Sequence, residues 1–226
     1  MTAKARSKAE TGRRLQAQSR ALAAGLAKIG REFHARGWAL GTSGNYSAIF
    51  GRGPLQLLIT SSGLDKSALT EQSFLEIDLE GAVLAGAGKP SAETLLHLAV
   101  VGTTGARCVL HTHSVWSTLL SDRFAEKGGL AIEGYEMLKG LEGVKTHEHR
   151  EWIPIFKNSQ DISSLAGEVL EFLERDAAAH GFLLSGHGLY TWGANAAIAR
   201  RHVEILEFLF EVVGRREFSA LRESRE

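Results

Sequence analysis

Two histidines, His111 and His113, stand one residue apart where the apolar pair Val109 and Leu110 ends. On a β-strand alternate side chains leave from one face, so both imidazoles point the same way. A pair of imidazoles on one rigid face is a seat for a divalent ion, most often zinc, and needs one or two further ligands. His187 supplies a third. It lies in Ser185-Gly186-His187-Gly188, directly after the apolar run Phe182-Leu183-Leu184. The flanking glycines permit a sharp turn that brings the ring against another element. A metal site of His111, His113 and His187 is the expectation.

Two carboxylates could move protons beside such an ion. Glu93 closes Pro90-Ser91-Ala92-Glu93, and Glu136 lies in Gly134-Tyr135-Glu136-Met137-Leu138-Lys139-Gly140. Either is equally at home on a solvated helix surface. Two loops, Gly41-Thr42-Ser43-Gly44-Asn45 and Thr60-Ser61-Ser62-Gly63, join glycine to hydroxyl or amide side chains at strand ends. Backbone N–H groups and hydroxyls in such loops can converge on phosphate. Lys89-Pro90-Ser91 is a third candidate anion contact. Each stretch alone reads as an ordinary turn, but three of them beside a metal site make a phosphorylated metabolite plausible. His147 and His149 repeat the spacing of the first pair, yet between Lys145 and Arg150 they read as surface loop. His34, His97, His180 and His202 fall within helical patterns and call for no functional reading.

These residues need a scaffold. Leu15, Leu22, Leu26, Ile29 and Phe33 recur at helical spacing, which predicts an amphipathic helix over about 13–36, stopped by Gly37. Strands are predicted near 45–50 and 56–60 around a turn at 51–54, and a hairpin over 74–84 turns at Asp78-Leu79-Glu80-Gly81. Pro90 and Ser91 should open a helix. The histidine pair then ends a strand, with a helix over 114–121 after it. A short strand and a helix follow over 132–141. Pro154 interrupts the strand 152–156 and should confine it to a sheet edge. Asp161 caps a further helix. Strands 182–185 and 189–192 flank the His187 turn, and a closing helix covers 194–215. Short strands alternate unevenly with helices and two pairs look like hairpins. The predicted fold is therefore α/β, a three-layer α/β/α arrangement with a mostly antiparallel central sheet.

The 226 residues fit one domain. Residues 1–12 are read as a flexible start; the basic bias of Lys4, Arg6, Lys8, Arg13, Arg14 and Arg20 only weakly suggests a transit peptide. Basic and acidic residues number 26 each, so no overall charge points to nucleic acid or an anionic membrane. No apolar run is long enough to cross a membrane. The single cysteine, Cys108, cannot form an internal disulfide and suits a reducing compartment such as the cytoplasm.

In order along the chain, Gly41-Thr42-Ser43-Gly44-Asn45, Ile59-Thr60-Ser61-Ser62-Gly63, Lys89-Pro90-Ser91-Ala92-Glu93, His111-Thr112-His113 and Ser185-Gly186-His187-Gly188 resemble the class II aldolase/adducin family over about residues 38–213. The resemblance implies His111, His113 and His187 as ligands of one divalent ion, usually zinc. It implies a phosphate cradle of Gly44, Asn45, Ser62, Gly63 and Ser91. Ala92 departs from the pattern, because sugar-phosphate aldolases often carry a second serine there. A narrower stretch runs from Glu133 to Gly140, through Thr146-His147-Glu148, to Pro154-Ile155-Phe156-Lys157-Asn158-Ser159-Gln160-Asp161. With His187-Gly188-Leu189-Tyr190-Thr191-Trp192-Gly193, it is similar to the methylthioribulose-1-phosphate dehydratase branch, which serves methionine salvage. That branch implies Glu136 as the acid/base, whereas the aldolase branch would give the role to Glu93. It implies a lyase that removes water from a ketose 1-phosphate and needs no redox cofactor, and relatives imply a homotetramer. The alternatives are a sugar-phosphate aldolase and a metal-free, adducin-like interaction domain.

Overall fold

A computed structural model describes residues 3–51 and 55–223. Nine strands form one sheet in the order β4-β3-β2-β1-β5-β9-β8-β7-β6. They are β1 (Asn45–Phe50), β2 (Gln56–Thr60), β3 (Phe74–Ile77), β4 (Val83–Ala85), β5 (Cys108–Thr112), β6 (Gly129–Ile132), β7 (Glu151–Phe156), β8 (Gly181–Leu184) and β9 (Gly188–Gly193). Only β7 and β8 run parallel; every other neighbouring pair is antiparallel. The mostly antiparallel sheet is as expected.

Helices cover both faces, and strand alternation shows how. Tyr46, Ala48 and Phe50 of β1, with Cys108 and Leu110 of β5, pack against α1 (Ala3–Ala35) and the start of α5 (Ala196–Glu223). Val109, one residue out of phase, faces the other way with Tyr190 and Trp192 of β9, under α2 (Thr94–Thr104) and α4 (Ile162–Arg175). A period of two sends successive side chains into opposite layers. In α5 the buried residues Ala199, Val203, Leu206, Phe210 and Val213 recur every three or four positions, the stripe of a helix lying on a core. The short helix α3 (Val115–Arg123) is capped by Ser114, whose hydroxyl accepts from the Ser117 N–H at 2.9 Å.

Several boundaries differ from expectation. The first helix begins at Ala3, ten residues earlier than the apolar spacing suggests. Residues 1 and 2 of the segment expected to be flexible lie outside the described residues, as do residues 52–54 of the turn between β1 and β2. Helix α2 opens at Thr94, because Ser91 makes a turn instead: its hydroxyl accepts from the Glu93 N–H at 3.3 Å, and its carbonyl from the Thr94 N–H at 3.0 Å. Strand β7, expected at an edge, lies one strand in, between β8 and β6. Pro154 is tolerated there for a local reason. The neighbouring Ile155 N–H points to the β6 side, to the Gly128 carbonyl at 3.0 Å, so the N–H that Pro154 lacks would face β8. Pairing with β8 begins only at Ile155. Among the described residues no helix is long and apolar enough to cross a membrane.

Candidate active site

Strand β5 delivers His111 at its end and His113 just beyond, where the His113 N–H donates to the Trp38 carbonyl at 2.7 Å. The turn between β8 and β9 brings His187 to the same place. Gly188 is what allows the approach: a Cβ there would stand 2.1 Å from the Thr112 carbonyl oxygen. Gly186 supplies the turn with a φ of +61°. Across the pocket Gly44, at φ +77°, lies so close that a Cβ would meet the His111 carbonyl oxygen at 2.7 Å.

The three imidazoles converge through their Nε2 atoms. The separations are 2.8 Å for His111–His113, 3.3 Å for His111–His187 and 3.2 Å for His113–His187. Among the described residues they are the one group of three metal-ligating side chains whose donor atoms all lie within 4.8 Å of one another. His111 Nδ1–H donates to the Leu189 carbonyl at 2.9 Å, which fixes the tautomer that leaves the Nε2 lone pair facing the centre. Tyr190 stacks on the His111 ring at 3.8 Å between centroids and 13° between planes, and locks its orientation. Burial pushes His111 well below its ordinary pKa and, with the like charge of His187, lowers His113 to about 4. Neutral imidazoles are what a dication requires. Nitrogens around a tetrahedral zinc stand roughly 3.3 Å apart, from bonds of about 2.0–2.1 Å, so the observed triangle fits such an ion.

A carboxylate caps the triangle, and it is Glu93. Its Oε1 lies 3.2 Å from His187 Nε2 and 3.9 Å from His111 Nε2. Burial works to raise its pKa, but the neighbouring His187 and His111 rings and the Asn45 amide outweigh that and hold it far below the usual carboxylate range. The Asn45 amide donates to Glu93 Oε2 at 2.5 Å and accepts from His97 Nε2–H. The Ser47 hydroxyl in turn donates to His97 Nδ1 at 2.7 Å. His97, which its helical setting marked as unremarkable, is thus the buried anchor of this chain of bonds.

All five residues expected to hold phosphate, Gly44, Asn45, Ser62, Gly63 and Ser91, line one small cavity of about 100 Å³. Glu93 and His113 share its wall, so the cavity adjoins the imidazole triangle. Lys66 lines it too; it sits in a polar turn and its sequence context gives no sign of burial. Glu207 was also missed. It is buried on α5 and accepts from the Thr112 hydroxyl at 3.0 Å, tying the strand between the two histidines to the helix behind it. Burial lifts its pKa to about 7. A glutamate within an otherwise apolar helical stripe is the one sequence signal that pointed to it.

Glu136 stands elsewhere. It opens a 3₁₀ turn, Glu136–Gly140, and is exposed. Its Oε1 accepts from Lys139 Nζ at 2.6 Å, and Oε2 lies 3.8 Å from His147 Nδ1. The Lys139 bond and charge lower its pKa. None of its contacts is with the three histidines. His147 is exposed, as a loop residue should be, but His149 is not free. With His180 it grips the buried carboxylate of Glu151, at 2.7 Å from His149 and 3.0 Å from His180.

Comparison with known proteins agrees with this geometry. The family model of the class II aldolase and adducin N-terminal domain matches residues 24–213. A methylthioribulose-1-phosphate dehydratase of Methylococcus capsulatus is 45% identical over 191 residues, covering 84% of this chain and 91% of that one. The enzyme of the same name from Pseudomonas paraeruginosa is 47% identical over 183 residues, covering 80% and 88%. Among solved structures, L-fuculose-1-phosphate aldolase from Thermus thermophilus superimposes with a TM-score of 0.67 at 27% identity, covering 92% of this chain and 97% of that one. An aldolase II superfamily protein from Pseudomonas syringae gives a TM-score of 0.73 at 19% identity, over 89% and 78%, a likeness of fold alone. With its histidine triangle, glycine-gated turns and hydroxyl-lined pocket, the chain belongs to the class II aldolase and adducin family.

Proposed function

We propose that this protein is a lyase that dehydrates 5-methylthioribulose 1-phosphate to the 2,3-diketo-5-methylthiopentyl 1-phosphate, with one divalent ion, zinc, held by His111, His113 and His187. The observation that carries this reading is that the candidate phosphate loops line one cavity, which adjoins the convergent imidazoles through His113 and Glu93. Relatives bearing the dehydratase name, at 45–47% identity over at least four fifths of the chain, favour water loss over other outcomes. An ion at the triangle would polarise the C2 carbonyl and acidify the proton on C3.

The chain's own groups do the rest. Gly44, Asn45, Ser62, Gly63 and Ser91 hold the phosphate and so place C2 and C3 at the imidazoles. A carboxylate takes the C3 proton, the C4 hydroxyl departs as water with a proton delivered to it, and the resulting enol becomes the second ketone. We assign the proton transfers to Glu136, on its similarity to the dehydratase segment 133–140. In a single chain it faces solvent, so it reaches the pocket through movement of its turn or from a neighbouring copy in a homotetramer. The proposed compartment is the cytoplasm.

A second reading rests on one specific observation: Glu93, not Glu136, touches the triangle. A base there suits an aldolase that breaks the C3–C4 bond. Incubating metal-loaded protein with 5-methylthioribulose 1-phosphate separates the two. The diketone supports dehydration; dihydroxyacetone phosphate and methylthioacetaldehyde would establish cleavage instead.

A further inference from the structure

We propose that the buried ammonium of Lys66 is the cationic partner of the substrate's phosphate, a part of the cradle that the glycine and hydroxyl loops alone do not supply. The inference deepens the phosphate-binding reading above and rests on it.

Lys66 is 1% exposed. It opens the 3₁₀ turn Lys66–Ala68, separated by two residues from the loop Ser61-Ser62-Gly63. Its Nζ donates to the Thr42 carbonyl at 3.0 Å and the Leu64 carbonyl at 2.7 Å, and thus bridges the two loops expected to hold phosphate. An ammonium has three N–H donors, so one remains, and the side chain lines the cavity shared by both loops.

Two neutral carbonyls satisfy hydrogen bonds but do not neutralise a charge, and burying an unpaired charge is costly. Asp65 and Glu93 lie near enough to favour the charged form, but the hydrogen bonds of the ammonium go to carbonyls. Asp65 is largely exposed and accepts from the Ser67 N–H at 2.8 Å. Glu93 is held by Asn45 and His187. A simple strut between two carbonyls needs two N–H donors, which a neutral amide side chain supplies without a charge. A buried cation facing N–H and O–H groups calls for an anion with several acceptor oxygens, and a phosphate dianion meets both demands. Burial lowers the Lys66 pKa only to about 8, so the group stays charged at neutral pH.

The test uses metal-loaded full-length protein and its Lys66→Met variant, with inorganic phosphate titrated by calorimetry. Loss of a charge-assisted contact should weaken phosphate binding about 10- to 100-fold. The same factor should appear in kcat/KM for methylthioribulose 1-phosphate and should be absent for methylthioribulose without its phosphate. Phosphate affinity within twofold of wild type, whatever the melting temperature does, overturns the inference and leaves Lys66 a strut. If the variant does not fold, wild-type protein carrying ¹⁵N at lysine Nζ gives the answer. One buried Nζ resonance should move on addition of phosphate, and an unmoved resonance overturns the assignment. Wild-type protein that makes the diketone but binds no phosphate also overturns it, while leaving dehydration intact. Phosphate binding that depends on Lys66 without any diketone sustains it and removes the proposed reaction instead.

Discussion

The molecule carries two clusters of three imidazoles and a carboxylate, at opposite ends of the same central strands. At the Thr112 end of β5 stand His111, His113, His187 and Glu93; beyond the other end of β9 stand His149, His180, His202 and Glu151. Their composition is the same, and their hydrogen-bond accounts are opposite. In the first, three Nε2 atoms face one another, His111 Nε2 is left as a lone pair by the bond from its Nδ1–H to Leu189, and buried His187 Nδ1 has no partner. In the second, the nitrogens are turned outward to the protein. His180 gives one N–H to Glu151 and the other to the Glu142 carbonyl at 2.8 Å. His202 donates to the Trp192 carbonyl at 2.8 Å and accepts from the Glu142 N–H at 3.0 Å. The second cluster borders the wider cavity, about 820 Å³ against about 100 Å³, yet it is to the first that we assign the chemistry. Unspent lone pairs aimed at one point mark a site; cavity size does not.

Breaking the first cluster should have the largest effect. His113→Ala removes one of three convergent nitrogens, so bound metal should be lost and turnover should fall by about two to four orders of magnitude. Elemental analysis beside a diketone assay checks both. Next comes the choice of base. Glu136→Gln keeps size and hydrogen bonding but cannot cycle a proton, so dehydration should drop by about two to four orders with metal content unchanged. Near-normal dehydration in that variant, with none in Glu93→Gln, would transfer the role to Glu93.

Breaking the second cluster should cost stability and spare the metal. Glu151→Gln leaves two half-buried imidazoles without their carboxylate, a loss of about 1–3 kcal/mol, or a melting temperature lower by about 2–12 °C. The pH dependence has a definite sign. Burial works to raise Glu151, but His180 and His149 outweigh it and hold it below the usual range. Its contribution is present above the unfolded carboxylate value and fades as pH falls through the folded one. Burial works to lower His180, but Glu151 outweighs it and raises the imidazole. That contribution is present below about 6.5 and fades as pH rises through the folded value. Thermal stability should therefore peak between the two, on the acid side of neutrality, and Glu151→Gln should flatten the profile. A profile of unchanged shape in the variant counts against the clasp.

The smallest effect concerns Glu207. Burial raises its pKa from 4.5 to about 7, so between those values the unfolded chain gives up the proton that the folded one keeps, and stability declines across that window and levels off above it. Glu207→Gln should melt a few degrees higher than wild type at pH 8, and the gap should close only as pH falls toward the unfolded value of 4.5; a lower melting temperature at pH 8 would show the carboxylate itself to be stabilising.

The first cluster was legible in the sequence because its cues are local. A two-residue period on an apolar strand sets His111 beside His113, and glycines around His187 announce a tight turn. The glycine and hydroxyl loops that meet at one cavity were picked out by equally local cues. What stayed hidden depends on partners far along the chain. His180 meets Glu151 across 29 residues, and Thr112 meets Glu207 across 95. Lys66 gave no signal in the sequence because its carbonyl partners belong to turns whose closure only the fold decides. The edge reading of Pro154 failed because sequence does not reveal on which side of a strand a given N–H emerges.

The central claim is that imidazoles with unspent nitrogens bind an ion and imidazoles already hydrogen-bonded do not. Metal content of purified, dialysed protein tests it most directly, compared between two double variants. Wild type and His149→Ala/His180→Ala should each retain about one divalent ion per chain, while His111→Ala/His113→Ala should retain none. Full metal in the His111/His113 variant, or its loss from the His149/His180 variant alone, would contradict the account.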